Sequence, residues 1–156
     1  MSDKWRYHKI DRKSAETYGA PSGELTYFLS TARESGGKVT VMDSYFPKGS
    51  GVPWHIHKMD EELFYITSGR YKIGVGNEEM ELGVGEMAIA GIGVPRMFKA
   101  LTDDAWMLVI NAPAGPAEGF LRYMQGLNLR GPPGPEVFET CEKEFGVIFG
   151  KGDGSW

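Results

Sequence analysis

Much of what marks a protein's class is missing from this chain. A single cysteine, Cys141, stands among 156 residues, so no intramolecular disulfide can form and a disulfide-stapled secreted scaffold is excluded. A reducing compartment, the cytoplasm, is the expected location. No run approaches the roughly 18 apolar residues of a membrane span, and residues 1–8 lack the apolar core of a signal peptide, so no membrane partner is expected. Basic residues never cluster beyond Arg12-Lys13 and the formal net charge is -4, which removes nucleic acid from the expected partners. Helical signals are absent before Pro113, so most of the chain is not built on helices. Histidine is scarce as well. There are three, and two of them are separated by one residue.

Glycine, by contrast, is abundant: 22 residues against a usual share of about 7 %, punctuating short apolar runs through the middle of the chain. That is the punctuation of an all-β fold. With 41% hydrophobic residues, the length suits one domain with a real core. Residues 1–22 are polar with isolated aromatics and read as an N-terminal arm, with His8 as a surface histidine. The barrel domain is expected over residues 23–149, with a tail at 150–156.

Strands are expected at Leu25–Ser30, Val39–Phe46, and on either side of the histidines, with Pro47 to Pro53 as the turn before them. Arg70–Val75 reads as a hairpin partner reached through Ser68-Gly69, and Gly76-Asn77 turns it into Met80–Leu82. Met87–Ala90, Arg96–Ala100 and Ala105–Ile110 complete the set. After Pro113 the pattern becomes helical. One helix is expected to start at Pro116 and stop at Gly126, with Phe120, Leu121 and Met124 on one face. A second, Glu136–Phe145, aligns Val137, Phe138, Cys141 and Phe145 and stops at Gly146. Cys141 is therefore a core residue rather than a nucleophile.

The chemistry is concentrated in Gly49–Gly69. On an extended strand, alternate side chains share a face, so His55 and His57 point one way with Ile56 opposite. Glu62 opens the following apolar run and shares a face with Phe64 and Ile66. Two imidazoles and a carboxylate on rigid strands suit a first-row divalent metal, and equally an acid-base constellation without one.

The spacing Gly49, His55-x-His57, Glu62, Gly69 resembles the first motif of the cupins. The second resembles Gly85 to Ala100, with Gly85, Gly93 and Val94-Pro95 in place. The resemblance covers roughly residues 25–149, the tail being similar to that of small single-domain cupins described as quercetin dioxygenase-like. It implies a jelly-roll β-barrel with two short C-terminal helices, an interior pocket and often a homodimer. It also implies one divalent ion, such as Fe, Ni, Mn or Zn, held by His55, His57 and Glu62. Three positions depart from the motif: Gly91, Ala100 and Arg96 stand where the family has Pro, Asn and its fourth ligand, a histidine.

Arginine is always charged, and an inward Arg96 about 4–5 Å from a divalent ion would repel it by roughly 7 kcal/mol at an effective dielectric of about 20. It would instead pair with Glu62. Three functions follow. The first is a metal-independent enzyme for cyclisation, isomerisation or dehydration, with His55 or His57 moving protons and Arg96 facing a developing oxyanion. The second is a metal-dependent dioxygenase resembling the quercetinases, and the third a non-catalytic receptor for a small ligand. Strand parity adds Tyr45, Phe64, Ile66 and Phe98 as inward residues for a flat aromatic or polyketide-like substrate.

Overall fold

The structure is a computed structural model that describes residues 9–156, so His8 and the start of the arm lie outside the described residues. In chain order the elements are β1 (Glu16–Gly19), β2 (Leu25–Ser30), α1 (Ala32–Ser35), β3 (Thr40–Tyr45), β4 (Gly51–His57), β5 (Glu61–Ser68) and β6 (Tyr71–Val75). Then come β7 (Glu78–Leu82), β8 (Met87–Ala90), β9 (Arg96–Ala100), β10 (Trp106–Ala112), α2 (Pro116–Leu127), α3 (Pro135–Phe145) and β11 (Val147–Phe149). The strands make two antiparallel sheets, β1-β2-β3-β10-β5-β8 and β11-β4-β9-β6-β7. They face each other as the two halves of a jelly roll, and the two longer helices follow the last barrel strand.

Alternation builds the core. In β5, Glu62, Phe64 and Ile66 are buried while Leu63 and Tyr65 are only half so. In β9, Arg96, Phe98 and Ala100 are buried and Lys99 is exposed. The inner faces meet in a core where Phe64, Ile66, Tyr71, Ile73 and Met107 are fully buried. Each such side chain contributes roughly 1.5–3 kcal/mol. Among the described residues, no helix is long and apolar enough to cross a membrane.

Several expectations are corrected. Within residues 1–22, Glu16–Gly19 pairs with β2 as the edge strand of the larger sheet. The turn before the histidines is shorter than Pro47–Pro53: Gly51 and Val52 already pair with Lys99 and Phe98, and the register shift before His55 accommodates Pro53, which has no N–H to give a ladder. Arg70–Val75 is not a hairpin partner of β5. Gly69, at φ 66, turns the chain into the other sheet, where β6 lies between β7 and β9; the Gly76-Asn77 hairpin to β7 is as expected. A single helical turn, α1, precedes Pro113. Helix α2 runs past Gly126 to Leu127, ending on Asn128 in the left-handed region at φ 48, whereas α3 stops at Gly146 as expected.

Helix α2 is fastened by a residue that its hydrophobic stripe does not announce. Glu118 is buried, accepts hydrogen bonds from the Thr40 hydroxyl (2.9 Å) and the Ala32 N–H (3.0 Å), and lies 3.6 Å from Arg122. One carboxylate thus joins α2 to β3 and α1. Arg122 in turn donates twice to Glu16 of β1, at 2.7 and 3.0 Å.

Candidate active site

Strands β4 and β5 bring His55, His57 and Glu62 together at one end of the barrel interior. All three are buried, and the two imidazole centroids are 5.1 Å apart. His55 Nδ1–H donates to the Pro53 carbonyl at 2.7 Å and His57 Nδ1–H to the Asp60 carboxylate at 2.9 Å. Both acceptors lack a proton, so both rings carry theirs on Nδ1 and turn Nε2 inward. Glu62 Oε2 lies 3.8 Å from Nε2 of His55 and 3.3 Å from that of His57. One ligand atom from each of these residues lies within 4.8 Å of the others, so His55, His57 and Glu62 form a group able to hold a metal ion. The engaged Nδ1 atoms are what such ligands need from their surroundings.

Arg96 pairs across the ladder with His55 and points inward, fully buried. Its Nε is 3.4 Å from Glu62 Oε2, while one Nη donates to the carbonyls of Ala90 (2.8 Å) and Gly91 (3.1 Å). This is the pairing with Glu62 expected of an inward Arg96. Its Nε and Nη1 are buried without a hydrogen-bond partner among the described residues, and Arg96 is not among the residues that line the cavity.

Asp60 is the residue that sequence reasoning missed. Asp60 has no exposed surface and also accepts from Asn111 Nδ2 at 2.7 Å. The available signal was its position three residues after His57, where a tight turn folds a short carboxylate back onto the ring. The charges act on one another. Burial opposes a charged His57, but the negative charges of Glu62 and Asp60 outweigh it and raise the His57 pKa. Burial likewise opposes a charged Glu62, yet His57, His55 and Arg96 bring its pKa down to about 2.

These groups open on a cavity of about 210 Å³, below the 300–1,000 Å³ typical of sites for drug-sized ligands. Its walls are apolar, with Met42, Phe46, Val52, Phe98 and Val109 from the barrel and Phe120, Leu121 and Met124 from α2. Of the expected substrate contacts, only Phe98 lines it. Phe64 and Ile66 point inward but are packed into the core. Tyr45 is on the outer face, its ring 5.3 Å from Trp106 and its hydroxyl donating to the Asp103 carbonyl. Parity slipped by one position there, because Met42 and Ser44 face in, and it is Phe46, just past the strand, that packs on Phe98 at 4.8 Å.

Fold and site together are those of a cupin-type barrel with a buried His-His-Glu group. Residues 42–111, from β3 through β10, match the family model for the cupin domain, and they contain all four of the motif side chains. KdgF from Halomonas sp. has a similar fold, with a TM-score of 0.62 at 14% identity over 69% of this chain and 96% of that one. An RmlC-like cupin from Shewanella frigidimarina gives 0.61 at 17% identity over 69% and 92%. A predicted oxalate decarboxylase from Thermotoga maritima gives 0.60 at 16% identity over 68% and 99%. At such identities the likeness is one of fold. No curated protein matches the chain.

Proposed function

We propose that this protein is a cupin-fold enzyme that moves protons on a small organic molecule in the barrel cavity, in a cyclisation, isomerisation or dehydration that needs no metal. The observation behind this reading is the surroundings of Glu62 Oε2, which has His57 Nε2 at 3.3 Å, His55 Nε2 at 3.8 Å and Arg96 Nε at 3.4 Å. A cation, Arg96, therefore already faces the oxygen on which the two histidines converge. Formal charge supports the same reading. Asp60 and Glu62 are each negative and Arg96 positive, so one proton on His57 makes the buried cluster neutral. A divalent ion beside neutral imidazoles leaves an excess positive charge in a site with little access to water.

In this reading Asp60 holds the His57 ring and stabilises the imidazolium, and His57 Nε2–H gives its proton to one substrate atom and recovers one from another. His55 adds a second nitrogen facing the cavity. Glu62 orients both rings, and Arg96 acts through Glu62 as a positioning residue. Oxalate and other small dianions suit the cavity poorly, because no lysine or arginine lines it.

A second reading, a metal-dependent dioxygenase resembling the quercetinases, is favoured by the two Nε2 atoms turned inward with their Nδ1 protons engaged. An ion held by His55, His57 and Glu62 would supply Lewis-acid and oxygen chemistry at the same end of the cavity.

Equilibrium dialysis against zinc, manganese and ferrous ions separates the two readings. The parent is expected to take up well under one equivalent, and Arg96→His to bind more than tenfold tighter, a change of over about 1.4 kcal/mol. One tightly held ion per parent chain, with affinity unchanged by Arg96→His, would put the dioxygenase first.

A further inference from the structure

The cavity has a second polar end that the proton chemistry does not use. Tyr18, Glu24, Thr26 and Ser44 also line it. Parity puts Glu24 on the inner side independently, two residues before the buried Thr26 and four before the buried Phe28. The ladder measures how far this end is from the histidines. Glu62 is aligned with Asn111 and through it with Thr40, whereas Thr26 is aligned with Ser44 and Leu25 with Tyr45. Along β3, Glu24 is thus level with residue 46, six residues from the level of Glu62, at the opposite end of the cavity from the histidines.

Polar groups at this end are unequally satisfied. The Thr26 and Ser44 hydroxyls bond each other at 2.9 Å. Glu24 takes part in none of the ion pairs among the described residues. Its carboxyl is partly shielded, and this desolvation raises its pKa against a smaller opposing hydrogen bond from Ser22. The Tyr18 hydroxyl beside it is raised as well, first by burial and then by the Glu24 charge. An acceptor without a cation, at the end of an apolar cavity, is completed by a donor that a ligand brings.

We propose that Glu24, with Tyr18 beside it, is the recognition site for the far end of the substrate. The substrate class is an uncharged or cationic molecule with an apolar, aromatic-sized body and a hydroxyl or amino head that donates to the Glu24 carboxylate. Anionic heads are refused at this end, since Glu24 repels them and no lysine or arginine lines the cavity. This deepens the reading of the cavity as a substrate site and rests on it, but it concerns binding rather than proton transfer.

The test is equilibrium binding of four biphenyls by calorimetry: 4-hydroxybiphenyl, 4-methoxybiphenyl, biphenyl-4-carboxylate and biphenyl-4-methylammonium. The hydroxyl and ammonium probes are expected to bind at least tenfold tighter than the methoxy and carboxylate probes. Glu24→Leu should abolish that preference, Glu24→Gln should lose it for the ammonium probe chiefly, and Tyr18→Phe should reduce it less. His57→Ala should keep it. A parent that binds all four alike, or none, overturns the proposal, as does a preference that survives Glu24→Leu or disappears in His57→Ala. Retention of the preference in a protein whose metal uptake favours the dioxygenase would leave Glu24 in place and remove only the proton chemistry.

Discussion

The two walls of the cavity are built on different terms. On the side of β4, β5 and β9, His55, His57, Asp60, Glu62 and Arg96 are each at most 6% exposed, and each polar side chain has another within 4 Å. On the helical side, Phe120, Leu121 and Met124 are only partly buried, and α2 is fastened by Glu118 and by the exposed Arg122–Glu16 pair. Strands hold a side chain from both neighbours and keep ring nitrogens in place. A helix resting on a barrel mouth shapes the space and leaves its boundary easier to change.

If that contrast is right, the largest loss comes from the strand wall. Asp60→Ala leaves the Asn111 amide and His57 Nδ1–H without an acceptor inside the protein and should cost about 3 kcal/mol or more, read from urea unfolding. Glu118→Ala strips the Thr40 hydroxyl and Ala32 N–H of their partner on the helical side and should cost about 2 kcal/mol. A larger cost for Glu118→Ala than for Asp60→Ala would reverse the comparison.

The strand wall should also carry the pH dependence. Because the His57 pKa is raised when folded, its contribution is complete below the ordinary 6.5 and is lost as pH rises through the raised value. The Glu62 pKa is lowered to about 2, so its contribution is complete above the ordinary 4.5 and is lost as pH falls toward 2. Stability, followed by thermal unfolding, is expected to be greatest between these ordinary values and to decline above them, and Asp60→Asn should flatten the decline. A curve that keeps rising above pH 7 in the parent would show that the imidazoles are not coupled to the carboxylates. The smallest effect belongs to Lys58–Glu142, a half-exposed ion pair of 3.2 Å between the end of β4 and α3. Lys58→Ala should change stability by well under about 1 kcal/mol, and less still in high salt.

Patterns of period two and short metal-type spacings carried much of this fold and part of its site. Leu25–Ser30 is bounded as its sequence suggests, and Glu62, Phe64 and Ile66 share the inner face because no bulge interrupts them. What failed did so where alternation is broken or where a distant partner decides. Pro53 is at a register shift, while Tyr45 is expected inward although Met42, Ser44 and Phe46 hold the inner phase of β3. Gly69 sends the chain to another sheet because β6 finds β9, 21–29 residues away, rather than its neighbour. Neither alternation nor metal-type spacing marks Asp60 or Glu118, and only their tertiary partners explain their burial. The family spacing marked Arg96 without deciding whether it points inward, and its tether to the Ala90 and Gly91 carbonyls depends on how β8 ends, which no spacing rule gives.

The single thiol makes the helical wall a clock. Cys141 has no exposed surface, is packed with Val137 and Val147, and its pKa is raised by burial. A thiol reagent can meet it only when α3 lifts from β11, and the rate of modification in the native protein counts those openings one molecule at a time. Since the barrel wall need not open for this event, the ratio of labelling rate to global unfolding rate measures how independently α3 can part from its neighbours. A ligand that seats against Phe120 and Met124 would slow the clock without touching sulfur.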